Sequence, residues 1–343
     1  MTDEKLSSML IKDKTVLITG GIGSIGSRIV KKILQYAPKK ILVLDNRETE
    51  LFYEKFYTYS GMPVELHLVD VRDKSSIAHL FANVDIVFHA AALKHVPICE
   101  VHPYEAVKTN IIGTNNVVEC AIEHKVSKFI FISTDKAVNP NNVMGASKLL
   151  AERLIIAKAL NRNNGTKFGI IRFGNVLYSR GSVLEIWNMQ LKTKNKIAIT
   201  DQDMTRFFMS LSECVDLILF AAHLAENGET FILKMKSIKL LDLAKAYLQL
   251  KGFSENAYEI IGKRPGEKKH EELFIGSTDD LFFENEKFYV LLSPFSKQSD
   301  AHRMKLLGFH QTEKRTVCSD QKDALNFEIV KESLSKEKDL LFS

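Results

Sequence analysis

Short apolar runs rich in Val, Ile and Phe alternate along the first half of the chain with longer segments whose apolar residues recur at helical spacing. The runs are "TVLIT" (15–19), "ILVLD" (41–45), "VELHLVD" (64–70), "DIVFHA" (85–90), "KFIFIS" (128–133) and "FGIIRF" (168–173). Between them the spacing predicts helices over Ser24–Tyr36, Glu48–Tyr59, Lys74–Phe81, Pro103–His124 and Asn141–Asn161. Strand and helix repeated in this way predict an α/β fold, a doubly wound parallel sheet with helices on both faces, because right-handed crossovers cover each side. After about Gly174 the rhythm loosens into loops, isolated strands such as "TFILKM" (230–235) and helices near Ser212–Ala225 and Leu240–Leu250. Residues 1–175 therefore read as the doubly wound domain, to which some later segments return. Residues 176–295 read as a smaller lobe closing over the carboxyl edge of the sheet, where open α/β sheets bind ligands. The stretch 296–343, rich in Lys, Ser and Asp, reads as a tail that is either peripheral or partly disordered.

Composition narrows the field. At 343 residues and 45% hydrophobic content the chain buries a sizeable core. The net charge of +5 is spread without a long basic block, which disfavours nucleic acid and suits an anionic small substrate. The start, "MTDEKLSSMLIKDK", carries acidic residues and only a short apolar stretch, so neither a signal peptide nor a membrane span is expected. Cys99, Cys120, Cys214 and Cys318 have no metal-ligand spacing and read as free thiols in a reducing cytoplasm.

The first chemical motif is "ITGGIGSIGSRIV", in which Gly20, Gly23 and Gly26 follow strand one and open a helix. Glycines there permit a tight turn and a close approach to a pyrophosphate resting on the helix N-terminus, with Thr19, Ser24 and Ile25 beside it. Asp45 ends strand two, where a carboxylate accepts hydrogen bonds from the adenosine ribose hydroxyls. It argues for NAD, since it would repel the 2′-phosphate of NADP, whereas Arg47 two residues on could pair with that phosphate and keeps NADP open. Asp70 and Val71 would flank the adenine, and Ala90, Ala91 and Ala92 either line the dinucleotide or simply pack.

The second is "FISTDKAVNPNNVMGASKLLAERL", Phe131 to Leu154, a strand ending in a polar cluster, a Pro/Asn turn and a helix. Met144 and Lys148 are four apart and share one helix face. A thioether cannot take a proton, so Met144 reads as a residue lining the site without proton chemistry.

Together "TGGIGSIG", "HAAALKHVP", "STDKAVNPNNVMGASK", "RFGNVLYSRGSV", "MTRFF" and "RPGEKKHEELF" resemble the extended short-chain dehydrogenase/reductases, which carry a Rossmann domain. Within them they resemble the UDP-N-acetylglucosamine 4,6-dehydratases of polysaccharide biosynthesis, over about Lys14 to Phe274. The resemblance implies tightly held NAD or NADP and a UDP-sugar substrate. Hydride would leave C4, water would be eliminated across C5 and C6, and hydride would return to C6. It implies Lys136 as the C5 base and Asp135 as the acid at O6. Lysine can serve as a base only if burial or neighbouring positive charge lowers its pKa. Where Met144 stands, typical relatives have a tyrosine that removes the C4 hydroxyl proton. The methionine resembles a branch in which Asp135, held by Thr134, takes that proton first and gives one to O6 later, while Lys148 holds the nicotinamide ribose. Lys94 would contact the sugar nucleotide, and His95 is either a contact or a satisfied loop residue. Asn175 would meet the diphosphate side, with Arg180 and Ser182 nearer the nucleotide. Arg206 and Arg264 would offer charge-assisted bonds to the pyrophosphate, and Glu267 would accept bonds from the uridine ribose.

Two other readings remain open: a nucleotide-sugar 4-epimerase, and a non-catalytic dinucleotide-binding sensor suggested by Met144. The apolar faces of Pro103–His124 and Asn141–Asn161 match a pair that in the family often forms a four-helix interface, so a homo-oligomer is expected.

Overall fold

The computed structural model describes residues 3–276, 281–320, 325 and 327–336. The six apolar runs form strands Thr15–Thr19 (β1), Lys40–Asp45 (β2), Val64–Leu68 (β3), Ile86–His89 (β4), Lys128–Thr134 (β5) and Lys167–Phe173 (β6). They lie in the parallel order β3-β2-β1-β4-β5-β6. Each residue of β1 and β4 is buried, as expected of strands covered on both faces, whereas the edge strand β3 contains no fully buried residue.

Two apolar layers sandwich the sheet. On one face Ile29, Val30 and Ile33 of helix Ser24–Ile33 join Ile218 and Leu219 of helix Leu211–Leu224. On the other, Val117 and Val118 of helix Thr114–Glu123 join Ala151 and Ile155 of helix Val143–Leu160. The order reverses between β1 and β4, which leaves a crevice beyond their carboxyl ends.

The second half of the chain departs from expectation in two respects. The segment read as an isolated strand is Asn227–Leu233, which pairs in parallel with β6 as a seventh strand. The reason is the apolar helix Leu211–Leu224, which packs on the sheet face and returns the chain beside β6 in a further crossover. Antiparallel strands Phe288–Leu291, Phe282–Glu284 and His310–Gln311 then extend the sheet to ten strands.

The described part of the tail is also structural rather than peripheral. Helix Gln298–Leu306 buries Met304, and Asp300 pairs with Arg162 at 2.6 Å. Strand Thr316–Cys318 pairs antiparallel with Glu272–Ile275. Helix Phe327–Lys336 places Val330 and Leu334 in a third core with Trp187, Leu243 and Tyr247. A polar composition conceals these few apolar anchors, each of which is buried. The remainder of the tail lies outside the described residues. Cys99, Cys120 and Cys214 are buried free thiols, and Cys318 is a half-buried one.

Candidate active site

A cavity of about 960 Å³ runs along the crevice, in the size range of cofactor and ligand sites. Its first half is the glycine turn. Gly20 adopts φ +64°, and a β-carbon there would lie 2.7 Å from the backbone of Ala91. A β-carbon at Gly26 would lie 2.3 Å from the Gly20 carbonyl, so strand and helix meet only without side chains. Gly23 precedes helix Ser24–Ile33 with no side-chain cap, leaving first-turn N–H groups available to an anion. Gly20, Gly23, Ser24, Ile25 and Gly26 line the cavity, as do Asp45, Arg47, Asp70, Val71 and Ala90 to Ala92. This bare cradle fits a dinucleotide pyrophosphate.

Asp45 is buried, and its carboxylate accepts from the Ile22 amide at 3.1 Å and from Arg47 Nε at 3.1 Å. The aspartate thus ties the glycine turn to the end of β2, and Arg47 is held on it. Thr19 corrects the expectation of a cofactor contact. Its side chain is fully buried and its hydroxyl bonds His89 Nδ1 at 2.6 Å, away from the cavity wall.

At the end of β5 the structure separates two residues that the sequence places side by side. Thr134 and Lys136 face the cavity; Asp135, with no exposed surface, lies behind them. Its Oδ1 accepts from Thr134 Oγ at 2.9 Å and from Lys136 Nζ at 3.0 Å. Oδ2 is buried with no donor among the described residues. Burial raises the Asp135 pKa, and the nearby Glu271 carboxylate adds to the rise, although Lys136 opposes it.

Lys136 Nζ also reaches Asn175 Oδ1 at 3.3 Å and Glu271 Oε1 at 3.6 Å. Burial disfavours its charge, but the Asp135 and Glu271 carboxylates outweigh that and raise its pKa. The lysine therefore rests as an ammonium ion, opposite to the lowered pKa that a resting base requires. Sequence reasoning found no carboxylate other than Asp135 near it.

Met144 and Lys148 both line the cavity, as their shared face predicts. Met144 packs with Cys99 and Ala106. Lys148 donates to the Ile132 carbonyl at 2.6 Å and lies 3.8 Å from the centre of the Phe131 ring. Burial lowers its pKa to about 7, against an opposing pull from Glu152. Glu152 is itself paired with Arg172 at 2.6 Å and accepts from the Ser133 hydroxyl at 2.5 Å.

The far end of the cavity gathers the remaining predicted residues. Lys94 donates to the Arg180 carbonyl, and the His95 ring sits where a β-carbon on Gly181 would be 2.3 Å away, so the two loops interlock. The Arg180 amide donates to Ser24 Oγ at 2.9 Å, tying this loop to the glycine turn. Asn175 Nδ2 and Ser182 Oγ are buried polar atoms without partners among the described residues, and both residues line the cavity. Such orphaned groups on a cavity wall suit a polar ligand. Glu267 accepts from the Arg264 amide at 3.0 Å, and no described residue pairs with the Arg264 guanidinium. Arg206 differs from expectation. Its guanidinium is committed to the carbonyls of Thr205 at 2.7 Å, Lys268 at 2.9 Å and Lys269 at 3.2 Å, and to Glu271 at 3.5 Å. It braces the lobe from the cavity wall.

Three residues that shape the site escaped sequence reasoning. Glu271 stands in the quoted "HEELF", where two adjacent glutamates were the only signal. Asn110 bonds both main-chain groups of Leu93 and the Ser147 hydroxyl, fixing the loop that carries Lys94. The fully buried Ser319 hydroxyl donates to the Thr205 carbonyl at 3.3 Å, lies 2.7 Å from Thr205 Oγ and accepts from the Glu271 amide at 2.9 Å. Among the described residues no cluster of metal ligands occurs, and no helix is long and apolar enough to cross a membrane.

Comparison with known proteins agrees with this geometry. Residues 16–292 match the family described as "Polysaccharide biosynthesis protein". An uncharacterized membrane protein of Methanocaldococcus jannaschii is 52% identical over 275 residues, 78% of this chain and 82% of that one. The capsular polysaccharide biosynthesis protein CapD of Staphylococcus aureus is 44% identical over 79% of this chain, which spans only 47% of that longer protein. A UDP-glucose 4-epimerase of Rickettsia typhi is 38% identical over 90% of this chain and 96% of its own. Among solved structures, Pen from Bacillus thuringiensis superposes with a TM-score of 0.87 at 37% identity, covering 96% of this chain and 99% of that one. With the glycine turn, the strand order and the Asp-Lys block in place along the matched residues, the chain belongs to the polysaccharide biosynthesis protein family, within the extended short-chain dehydrogenase/reductases.

Proposed function

We propose that the protein is a nucleotide-sugar 4,6-dehydratase acting on UDP-N-acetylglucosamine, with NAD as the first choice of cofactor and NADP as the alternative. The observation that carries this reading is the Asp135–Lys136 pair, a buried carboxylate that meets the cavity through the partly exposed Lys136 and the Thr134 hydroxyl. A bound nicotinamide dinucleotide supplies the hydride acceptor and donor that C4 oxidation and C6 reduction need. With methionine at position 144, the C4 hydroxyl proton goes to Asp135 through Thr134, whose hydroxyl already points at Oδ1. The same carboxyl later protonates the departing O6. A raised Asp135 pKa suits both tasks, since the group must accept a proton and then give it up. Lys136, on the wall, takes the C5 proton. Lys148 holds the nicotinamide ribose, and Asn175, Ser182 and Arg264 meet the diphosphate and nucleotide.

A second reading, 4-epimerase, is favoured by the Rickettsia relative but leaves Lys136 without a task, because epimerisation removes no C5 proton. Incubation with UDP-N-acetylglucosamine in deuterated water, followed by proton NMR, distinguishes them. Dehydration gives a 6-methyl signal with deuterium at C5, epimerisation gives a sugar changed only at C4, and an unchanged spectrum removes both for this substrate.

The protein is also proposed to self-associate. Ile98, Val101 and Tyr104 are 56%, 72% and 66% exposed on the helical face beside Pro103–Ala106, an apolar surface suited to a second copy. Light scattering that shows only a 39 kDa particle would remove this proposal.

A further inference from the structure

An ammonium ion has no lone pair, so Lys136 must release a proton before it can take one from C5. Three acceptors surround Nζ: Asp135 Oδ1 at 3.0 Å, Asn175 Oδ1 at 3.3 Å and Glu271 Oε1 at 3.6 Å. The amide oxygen of Asn175 is too weakly basic. On the dehydratase reading, Asp135 is already occupied, because it has received the O4 proton during C4 oxidation. Glu271 is the acceptor that remains. We propose that Glu271 is the proton-holding partner of Lys136, taking the ammonium proton while the lysine collects the C5 proton and returning it when the cycle closes. This rests on the dehydratase reading and adds to it a positioning residue that acts through Lys136.

The protons balance. The O4 proton passes to Asp135 and leaves on O6 as part of water. The resident Lys136 proton moves to Glu271, and the free amine takes the C5 proton as the C5–H bond breaks and the C5–C6 double bond forms. After hydride addition at C6, Lys136 gives its proton back to C5 and recovers the one held by Glu271. Each group ends as it began.

Burial pushes the Glu271 carboxyl up, but Lys136, Arg206 and Lys268 together hold it below its ordinary range, so it holds the Lys136 proton only while the lysine takes the one from C5. The Glu271 side chain is 4% exposed, so proton transfer from Lys136 turns a buried ion pair into a neutral pair without separating charge in a medium of low polarity. Arg206 Nε, 3.5 Å away, favours the carboxylate and so draws the proton back off Glu271 at the end. The Ser319 hydroxyl, 2.9 Å from the Glu271 amide, fixes the residue's backbone. Once Asp135 is protonated, the strongest counter-charge on Lys136 is gone, which eases release of its proton.

The charged groups facing Lys136 are Asp135 at the end of β5, Glu271 ahead of strand Glu272–Ile275 and Arg206 from strand Thr205–Met209; Lys268 adds positive charge next to Glu271. The test is Glu271→Gln, compared with wild type and with Glu271→Asp. With UDP-N-acetylglucosamine, E271Q is expected to keep C4 oxidation, seen as reduced-nicotinamide absorbance. Its deuterium entry at C5 and 6-methyl formation should fall about 100-fold, a loss typical of removing a proton-transfer group. Raising the pH should recover part of that loss, because Lys136 then sheds its proton to water, and E271D should restore it at neutral pH. In the cofactor-free protein, carbon NMR of labelled lysine, assigned with Lys136→Arg, should show Lys136 titrating lower in E271Q than in wild type. Oxidation and dehydration falling together, or E271Q dehydrating at the wild-type rate, overturns the proposal alone. A wild type that leaves the sugar unchanged overturns the dehydratase reading, and this proposal with it.

Discussion

Oδ2 of Asp135, without a donor among the described residues, lies against Gly174, where an added β-carbon would sit 2.9 Å from Oδ2 and 2.9 Å from Phe207 Cβ. The glycine that follows β6 therefore sets the space around the buried carboxyl. Gly174→Ala should press on both neighbours at a cost of about 1–3 kcal/mol of stability, as overpacking usually does. On the proposed mechanism dehydration should fall more than substrate affinity, because the displaced group is the one assigned the proton transfers. Denaturant melts with kcat and KM in parallel check this, and wild-type kcat in the folded variant contradicts it.

Asp135→Asn keeps the shape and removes the proton acceptor. Both C4 oxidation and dehydration should be abolished, by about 100-fold or more. Reduced nicotinamide still forming on addition of the sugar nucleotide would show that the O4 proton leaves by another route.

Lys148 makes cofactor-free stability depend on pH. In the unfolded chain the amine keeps its proton to about pH 10. In the folded protein burial lowers its pKa to about 7. Below that value both states are charged and the fold carries the full cost of burial. As pH rises from about 7 toward about 10, the folded state sheds a proton that the unfolded state retains, so this group's contribution raises stability by up to roughly 1.4 kcal/mol per unit. Lys148→Met should remove that part of the slope. Urea melts across the window, wild type against variant, give the difference, and parallel curves would contradict it.

Ser319 reaches the site from the far end of the chain. Ser319→Ala leaves the buried Glu271 amide without its hydroxyl acceptor and the Thr205 hydroxyl with His270 Nδ1 alone, at a cost of about 1–3 kcal/mol. Because Glu271 then keeps only the bond from the residue-319 amide to its carbonyl, at 2.8 Å, C5 deuterium exchange should slow more than C4 oxidation. Equal slowing of the two would mark the serine as purely structural.

The helical and strand periods were legible in the chain because they depend on residues close in sequence, and so the parallel sheet, the glycine turn and the shared face of Met144 and Lys148 could be read directly. Adjacency in "STDK" likewise announced the Asp135–Lys136 pair. It could not reveal that Asp135 lies buried behind Thr134 and Lys136, because that follows from the close approach of Gly174, just after β6, and of Phe207 on strand Thr205–Met209. Nor could it reveal the sign of the Lys136 pKa shift, which depends on Glu271, 135 residues away in the chain and 3.6 Å away in space. The tail misled for the same reason. Its polar composition reports average solvent exposure, while Met304, Val317 and Ser319 are positioned by strands and helices that only the folded chain brings beside them. Local pattern thus determined which elements form and where a dinucleotide fits. Long-range packing decided which charges meet.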